Sequence, residues 1–351
     1  MLGLSMLLAF LVSFLLSLHF SKLGLARDNP GAGPQKINPV SASRMGGIAI
    51  YLALIIASLT FDNDFFGFFL LPVLPIFLVA FYEDFFQNVR PSTRLVIAFV
   101  SSALFVGLTG YYMRYVNIPI IDRLLKFNFI ALSITIFAIA GVVNAFNIID
   151  GLNGLAGGTA FISFLFLGFA ALEVKDTELV FFAILFLMAL LGFLVHNYPR
   201  CKILLGDSGA YLLGFLVATY SLLLVYRNPS ISPWFPLVLI FYPVFETLFS
   251  IYRRIFVKRQ GAMEADFRHL HSILFRRYVK ENPCTTRILL LGFLLNAVLA
   301  YFLRYSTFLL LILLASNIVI YLVFYKSMLH FKAGWLRKVK ELVTGNHRSR
   351  V

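Results

Sequence analysis

The 351-residue sequence predicts an all-α, polytopic membrane protein of about eleven transmembrane helices, with its functional groups gathered on the cytoplasmic face. Three observations carry this. Sixty per cent of the residues are hydrophobic, 39 of them Phe, and only 13% are charged, too few to wet the surface of a globular protein of this size. The apolar residues fall into runs close to the roughly 20 residues that a helix needs to cross a bilayer. The 30 Lys and Arg, against 16 Asp and Glu, are broken into short blocks between those runs, so the net charge of +14 marks membrane topology and excludes a nucleic-acid partner.

The runs are 1–20, 45–61, 65–82, 95–111, 129–146, 159–172, 179–195, 210–225, 233–249, 288–302 and 306–325. The first lacks the basic start and small-residue cleavage site of a signal peptide and is expected to be a retained helix. The shortest, 159–172, is the weakest candidate. Twenty-four of the 30 basic residues lie in the connections 21–44, 83–94, 147–158, 196–208, 250–287 and 326–351, and 6 in the opposite ones. The richer side is cytoplasmic by the positive-inside rule, which places the N-terminus outside and the C-terminus inside. Residues 1–325 form one transmembrane domain, including the long inner loop 250–287. The basic tail 326–351, with Trp335 and Leu336 among its lysines and arginines, has the composition of an interfacial helix on anionic lipid. Cys201 and Cys284 are too few to staple anything.

The carboxylates need a cause. Glu83, Asp84, Asp150, Asp207, Glu246 and Asp266 all fall at inner ends of apolar runs or in the long inner loop. One such group is ordinarily a solvated cap. Several, most in a polar or Gly-rich string, point to a shared site, because charge near hydrocarbon must be paired or bound to a cation. The string 144–158 holds Asn144, Asn147, Asp150 and Asn153 with four glycines, amides and a carboxylate beside backbone that a ligand can approach closely. In 205–215, Asp207 stands between Gly206 and Gly209 at the start of a span, placed either to cap that helix or to hold a divalent cation that bridges to a phosphate.

Five strings, Arg44-Met45-Gly46-Gly47, Glu83–Asp84 with Arg94 downstream, Asn144 to Gly158, Gly206-Asp207-Ser208-Gly209, and Asp266-Phe267-Arg268-His269-Leu270-His271, resemble those of the polyprenyl-phosphate N-acetylhexosamine-1-phosphate transferases. This integral-membrane family includes phospho-MurNAc-pentapeptide transferase and the bacterial enzymes that start O-antigen assembly. The strings follow the family's order over about 44–271. The chain departs from the pattern in having Glu83 for the first of two paired aspartates, His269, His271 and Ser272 for a three-histidine signature, and Glu246 for an Asp in the ninth span.

The resemblance implies an enzyme of the bacterial inner membrane that moves a sugar phosphate from a UDP-N-acetylhexosamine to undecaprenyl phosphate and releases UMP, with Mg²⁺ or Mn²⁺ as cofactor. Asp207 is then the first candidate for the metal, with Asp84 as a second ligand or as the group that positions the lipid phosphate. Asp150, Asn144, Asn147 and Asn153 orient nucleotide or sugar, and Glu83 orders Asp84 or accepts a proton. Arg268, His269 and His271 gather diphosphate oxygens, while Lys36, Arg44 and Arg94 seat phosphate. Anionic lipids and a second copy of the chain are the further partners expected. The competing classes are a secondary transporter built on broken helices and an inactive subunit of the same fold.

Overall fold

The structure, a computed structural model, describes residues 2–27, 41–61, 66–257 and 268–330. Fourteen α-helices lie within these residues: α1 Leu2–Leu23, α2 Gly46–Ser58, α3 Leu71–Phe86, α4 Pro91–Thr109, α5 Pro119–Leu125, α6 Asn128–Ile149, α7 Leu155–Glu173, α8 Thr177–Asn197, α9 Gly206–Arg227, α10 Trp234–Leu239, α11 Phe241–Tyr252, α12 Leu270–Ile273, α13 Asn282–Phe302 and α14 Thr307–His330. Single π turns precede α3 at Phe66–Leu70, follow α11 at Arg253–Val257 and follow α12 at Leu274–Val279. No sheet forms among the described residues; Ser43 alone bridges Arg27 and Ile203.

All eleven apolar runs are helical where they are described, but among the described residues nine of them form helices long and apolar enough to span a membrane. The other two differ for identifiable reasons. The helix of 45–61 is α2, with 13 residues, about 20 Å of rise against a hydrocarbon core of about 30 Å. The run 233–249 breaks at Ile240 into α10 and α11, because Pro243 cannot donate the amide hydrogen that a continuous helix would direct at residue 239. Such a break in an apolar setting leaves carbonyls to be satisfied. Asn296 Nδ2 on α13 donates to Val238 O (2.7 Å), and Asn317 Nδ2 on α14 donates to Asn296 Oδ1 (2.7 Å). The run 159–172, shortest in the sequence, is a full 19-residue helix, α7, because the glycine-rich string continues it back to Leu155. The inner loop 250–287 is largely helical as well, through α11, α12, the start of α13 and two π turns. α14 runs on to His330, and the rest of the basic tail lies outside the described residues.

α9 is the hub of the bundle, buried almost throughout and packed on α2, α3, α6 and α7. Its small residues allow this. At its start a Cβ on Gly47 of α2 would collide with the backbone of Gly209 and lie 2.6 Å from Ser208 Oγ, so the two helices cross backbone to backbone. α1, α13 and α14 turn many leucines, isoleucines and phenylalanines outward, as lipid-facing helices do.

The two ends of the bundle differ in how their charges are used. At one end, where α7 meets α8 and α13 meets α14, Arg227 pairs with Asp176 (3.1 Å) and Glu178 (2.7 Å), and Arg304 pairs with Glu173. Those carboxylates tie helices together. The opposite end collects the C-termini of α3, α6, α8 and α11 and the N-termini of α4, α7, α9 and α13, and with them the motif residues.

Candidate active site

The start of α9 organises the site. The first N–H groups of a helix lack partners within it, and those of Asp207 and Ser208 donate to Asp84, to Oδ1 at 2.7 Å and Oδ2 at 3.0 Å. Ser208 Oγ adds a 2.6 Å bond to Oδ2. Asp84, fully buried at the last turn of α3, is therefore the remote cap of α9. Asp207 does not cap its own helix, and its carboxylate is free to turn elsewhere. Gly206, at φ +78°, makes the turn into α9, a conformation that disfavours any side chain; a Cβ there would also lie 2.7 Å from Asp84 Oδ2.

Asp207 Oδ2 pairs with Arg94 Nη1, which also lies 3.9 Å from Glu83 Oε1. Glu83 Oε2 accepts the Val89 amide hydrogen at 2.7 Å, closing the turn between α3 and α4. The expectation that Glu83 orders Asp84 is not what its contacts describe: it holds this turn and faces Arg94. The entry to α2 lies against the same place, since the Gly46 and Gly47 amides donate to Leu204 O (3.0 Å) and Leu205 O (2.8 Å), which sets Arg44 beside Gly206.

The turn 150–154 between α6 and α7 is held by residues that the sequence did not single out. Asn197 Oδ1 on α8 accepts the Gly154 amide hydrogen (2.8 Å), Asn282 Oδ1 at the start of α13 accepts that of Asn153 (3.0 Å), and Thr286 Oγ1 donates to Asn153 O (2.9 Å). With its backbone N–H and C=O both held from α13, Asn153 keeps a buried side-chain oxygen without a hydrogen-bond partner. Asn147, in the last turn of α6, and Asn144, about one turn earlier, are half-buried. Burial, then the negative charges of Asp207 and Asp84, hold the Asp150 carboxyl well above the usual carboxylate range, with Arg44 opposing. Those same influences bring Asp84, Asp150, Asp207 and Arg44 into one electrostatic neighbourhood.

The histidines close the other side. A Cβ on Gly151 would lie 2.7 Å from His271 Nε2, so only glycine admits this imidazole against the turn. His271 Nδ1 lies 3.2 Å from the Tyr242 hydroxyl, and its ring stacks on that of His269 at 5.4 Å. Burial, reinforced by His269 and Arg276 and opposed by Glu246, pushes His271 down to about 3, so the imidazole is neutral at working pH. His269 Nδ1 lies 3.0 Å from Glu246 Oε1. Glu246 stood in the sequence as one of the clustered carboxylates and as a departure from a pattern; here it supports the histidine arm. Arg268 is exposed, and its carbonyl accepts the Tyr325 hydroxyl hydrogen (3.2 Å). Lys36 and Asp266 lie outside the described residues.

Among the described residues no three His, Cys, Asp or Glu side chains surround one point closely enough to hold a metal by themselves. The donors present are carboxylates and one unpartnered amide oxygen, the hard oxygen set that suits Mg²⁺, which takes one or two protein carboxylates and completes its shell with water and phosphate.

The fold and site define a class first: a multi-pass membrane protein whose carboxylates, amides and imidazoles converge at one end of its helices. Residues 66–225, from the turn before α3 almost to the end of α9, match glycosyl transferase family 4. The chain is 27% identical over 279 residues to the probable undecaprenyl-phosphate N-acetylglucosaminyl 1-phosphate transferase of Bacillus subtilis (strain 168), covering 78% of this chain and 76% of that one. It is 27% identical over 277 residues to the undecaprenyl-phosphate alpha-N-acetylglucosaminyl 1-phosphate transferase of Thermotoga maritima, covering 78% and 80%. It is also 29% identical over 236 residues to the phospho-N-acetylmuramoyl-pentapeptide-transferase of Caldicellulosiruptor bescii, covering 61% and 73%. In the matched segment and in these relatives alike, the chain is similar to glycosyl transferase family 4 and to sugar-1-phosphate transferases.

Proposed function

We infer that this protein transfers an N-acetylhexosamine-1-phosphate from a UDP-sugar to undecaprenyl phosphate, releasing UMP and forming the polyprenyl-diphosphate-sugar that begins a cell-envelope glycan. The observation that carries the reading is the convergence of Asp84, Asp207, Asp150, Arg94 and the histidine arm at the membrane end of one bundle. There a water-soluble nucleotide and a lipid headgroup can both arrive. The positive-inside distribution makes that end cytoplasmic and the N-terminus periplasmic.

The reaction is a displacement at phosphorus. An oxygen of the lipid phosphate attacks the β-phosphorus of the UDP-sugar, the bond from that phosphorus to the α–β bridging oxygen breaks, and UMP leaves with the oxygen. A lipid phosphate is already ionised near neutrality, so a general base contributes little. The barrier lies in bringing two anions together in line. Arg94, between Asp207 and Glu83, seats one phosphate at the start of α9; His269 and Arg268 donate to the diphosphate from the other side. Asn153, through its unpartnered carbonyl, and Asp150 orient the nucleotide or sugar. Similarity to these transferases implies a divalent cation, and Asp207 with Asp84 would hold Mg²⁺ here. Bound, it would neutralise the diphosphate and stabilise the departing oxygen.

UMP release from UDP-GlcNAc with undecaprenyl phosphate in purified protein, with and without Mg²⁺, tests the reading. Formation of a lipid-linked diphosphate sugar with stoichiometric UMP is expected. Transport of the nucleotide sugar without UMP would identify a transporter, and neither outcome would leave an inactive subunit.

A further inference from the structure

We propose that Tyr321, on the last helix, is a positioning residue for the histidine arm: it holds Glu246, and Glu246 in turn fixes the orientation of the His269 ring. The inference rests on the reading that His269 donates to diphosphate oxygens.

α14 shows lipid most of its surface, yet Tyr321 and Tyr325, one turn apart, are both buried. The Tyr321 hydroxyl donates to Glu246 Oε2 at 2.6 Å, and the Leu270 amide donates to the same oxygen at 3.2 Å. Oε1 faces His269 Nδ1 at 3.0 Å. A carboxylate with no exposed surface must have its lone pairs answered by donors, and these three groups answer them from two elements, α14 and the start of α12. With Nδ1 committed to Glu246, His269 is left to present Nε2, the same logic by which an outer carboxylate orients a metal-bound or catalytic imidazole.

Tyr325 adds a second hold. It accepts from Arg253 Nη1 (2.8 Å) and donates to the carbonyl of Arg268, the residue before His269. The Tyr278 hydroxyl, in the turn after α12, donates to Met328 O at 2.5 Å. The arm is thus fastened to α14 at both of its ends.

The titratable and charged groups around His269 are Glu246 and Tyr242 from α11, His271 beside it, Tyr321 from α14, and Arg253 and Arg276 from the flanking π turns. Two substitutions act on the ring through the same carboxylate. Tyr321→Phe removes a donor that holds Glu246 in place, and Glu246→Gln removes the anion that faces Nδ1.

The test is kcat and KM for wild type, Tyr321→Phe, Glu246→Gln and His269→Ala, and for Tyr321→Phe combined with His269→Ala. Phe keeps the ring packed on Phe245 (4.9 Å) and Phe249 (5.6 Å), and the Tm in detergent reads folding separately. Expected are about a three- to tenfold drop in kcat for Tyr321→Phe with little change in KM, a larger drop for Glu246→Gln, and no further loss when Tyr321→Phe is added to His269→Ala. A loss from Tyr321→Phe that persists undiminished in the His269→Ala background would reduce Tyr321 and Glu246 to packing and overturn the proposal. Wild-type activity in His269→Ala would instead remove the diphosphate role of the histidine, on which the proposal stands.

Discussion

Asp84 and Asp207 meet at the start of α9 through different atoms, and that difference separates their roles experimentally. Asp84 takes two backbone N–H bonds and one hydroxyl bond in a buried setting. Asp84→Asn loses the charge that these donors answer, and hydrogen bonds to a charged group are worth about 1.5–3 kcal/mol. Thermal unfolding in detergent is expected to show a lowered Tm together with lost transfer. Asp207 makes no capping bond; Asp207→Asn should abolish transfer while Tm stays near wild type. Equal Tm losses in both variants would make Asp207 a structural residue too. Glu83 gives a second contrast. Glu83→Gln retains an oxygen for the Val89 amide and loses only attraction to Arg94 at 3.9 Å, so UMP release is expected to fall by less than about tenfold. A proton-accepting role would cost about 10²–10⁴, and a loss of that size would return Glu83 to the chemistry.

At the scale of elements, the site depends on how closely α2 can approach α9. Gly47 faces the backbone of Gly209, so the Cβ of a Gly47→Ala variant must push the helices apart or shift Ser208. Overpacking of this kind destabilises by about 1–3 kcal/mol. Because Ser208 is also a donor to Asp84, the variant is expected to lose membrane yield and transfer together. Normal yield and normal kcat would show that the crossing has slack. The α10–α11 break follows the same logic of local chemistry and distant repair: Pro243 opens the helix, and Asn296 on α13 answers the exposed carbonyl of Val238.

For the whole molecule, the two ends carry different charge economies. Arg227 with Asp176 and Glu178, and Arg304 with Glu173, neutralise one end locally. Among the described residues the other end keeps Asp84, Asp150 and Asp207 beside Arg44 and Arg94, a set that the proposed substrate phosphate with its cation would complete. Reporter fusions or cysteine labelling after Asp176 should report the outside, and after Arg90 the cytoplasm. A reversed result at Arg90 would put the site on the face that nucleotide sugars do not reach, and would overturn the orientation read from the basic residues.

The sequence alone determined the solvent of this protein and most of its helices, because hydrocarbon imposes length and composition on every crossing. It also revealed the strings around Asp84, Asp150, Asp207 and His269, since carboxylates, amides and glycines at inner helix ends are conspicuous in so apolar a chain. The tertiary structure decided what those residues touch. That Asp84 caps α9 across 123 positions, that Asn197, Asn282 and Thr286 hold the turn at Asn153, and that Glu246 and Tyr321 stand behind His269 leave no periodic trace. Each is one of a few polar residues on a largely apolar helix, and its partner is chosen by packing between helices distant in sequence.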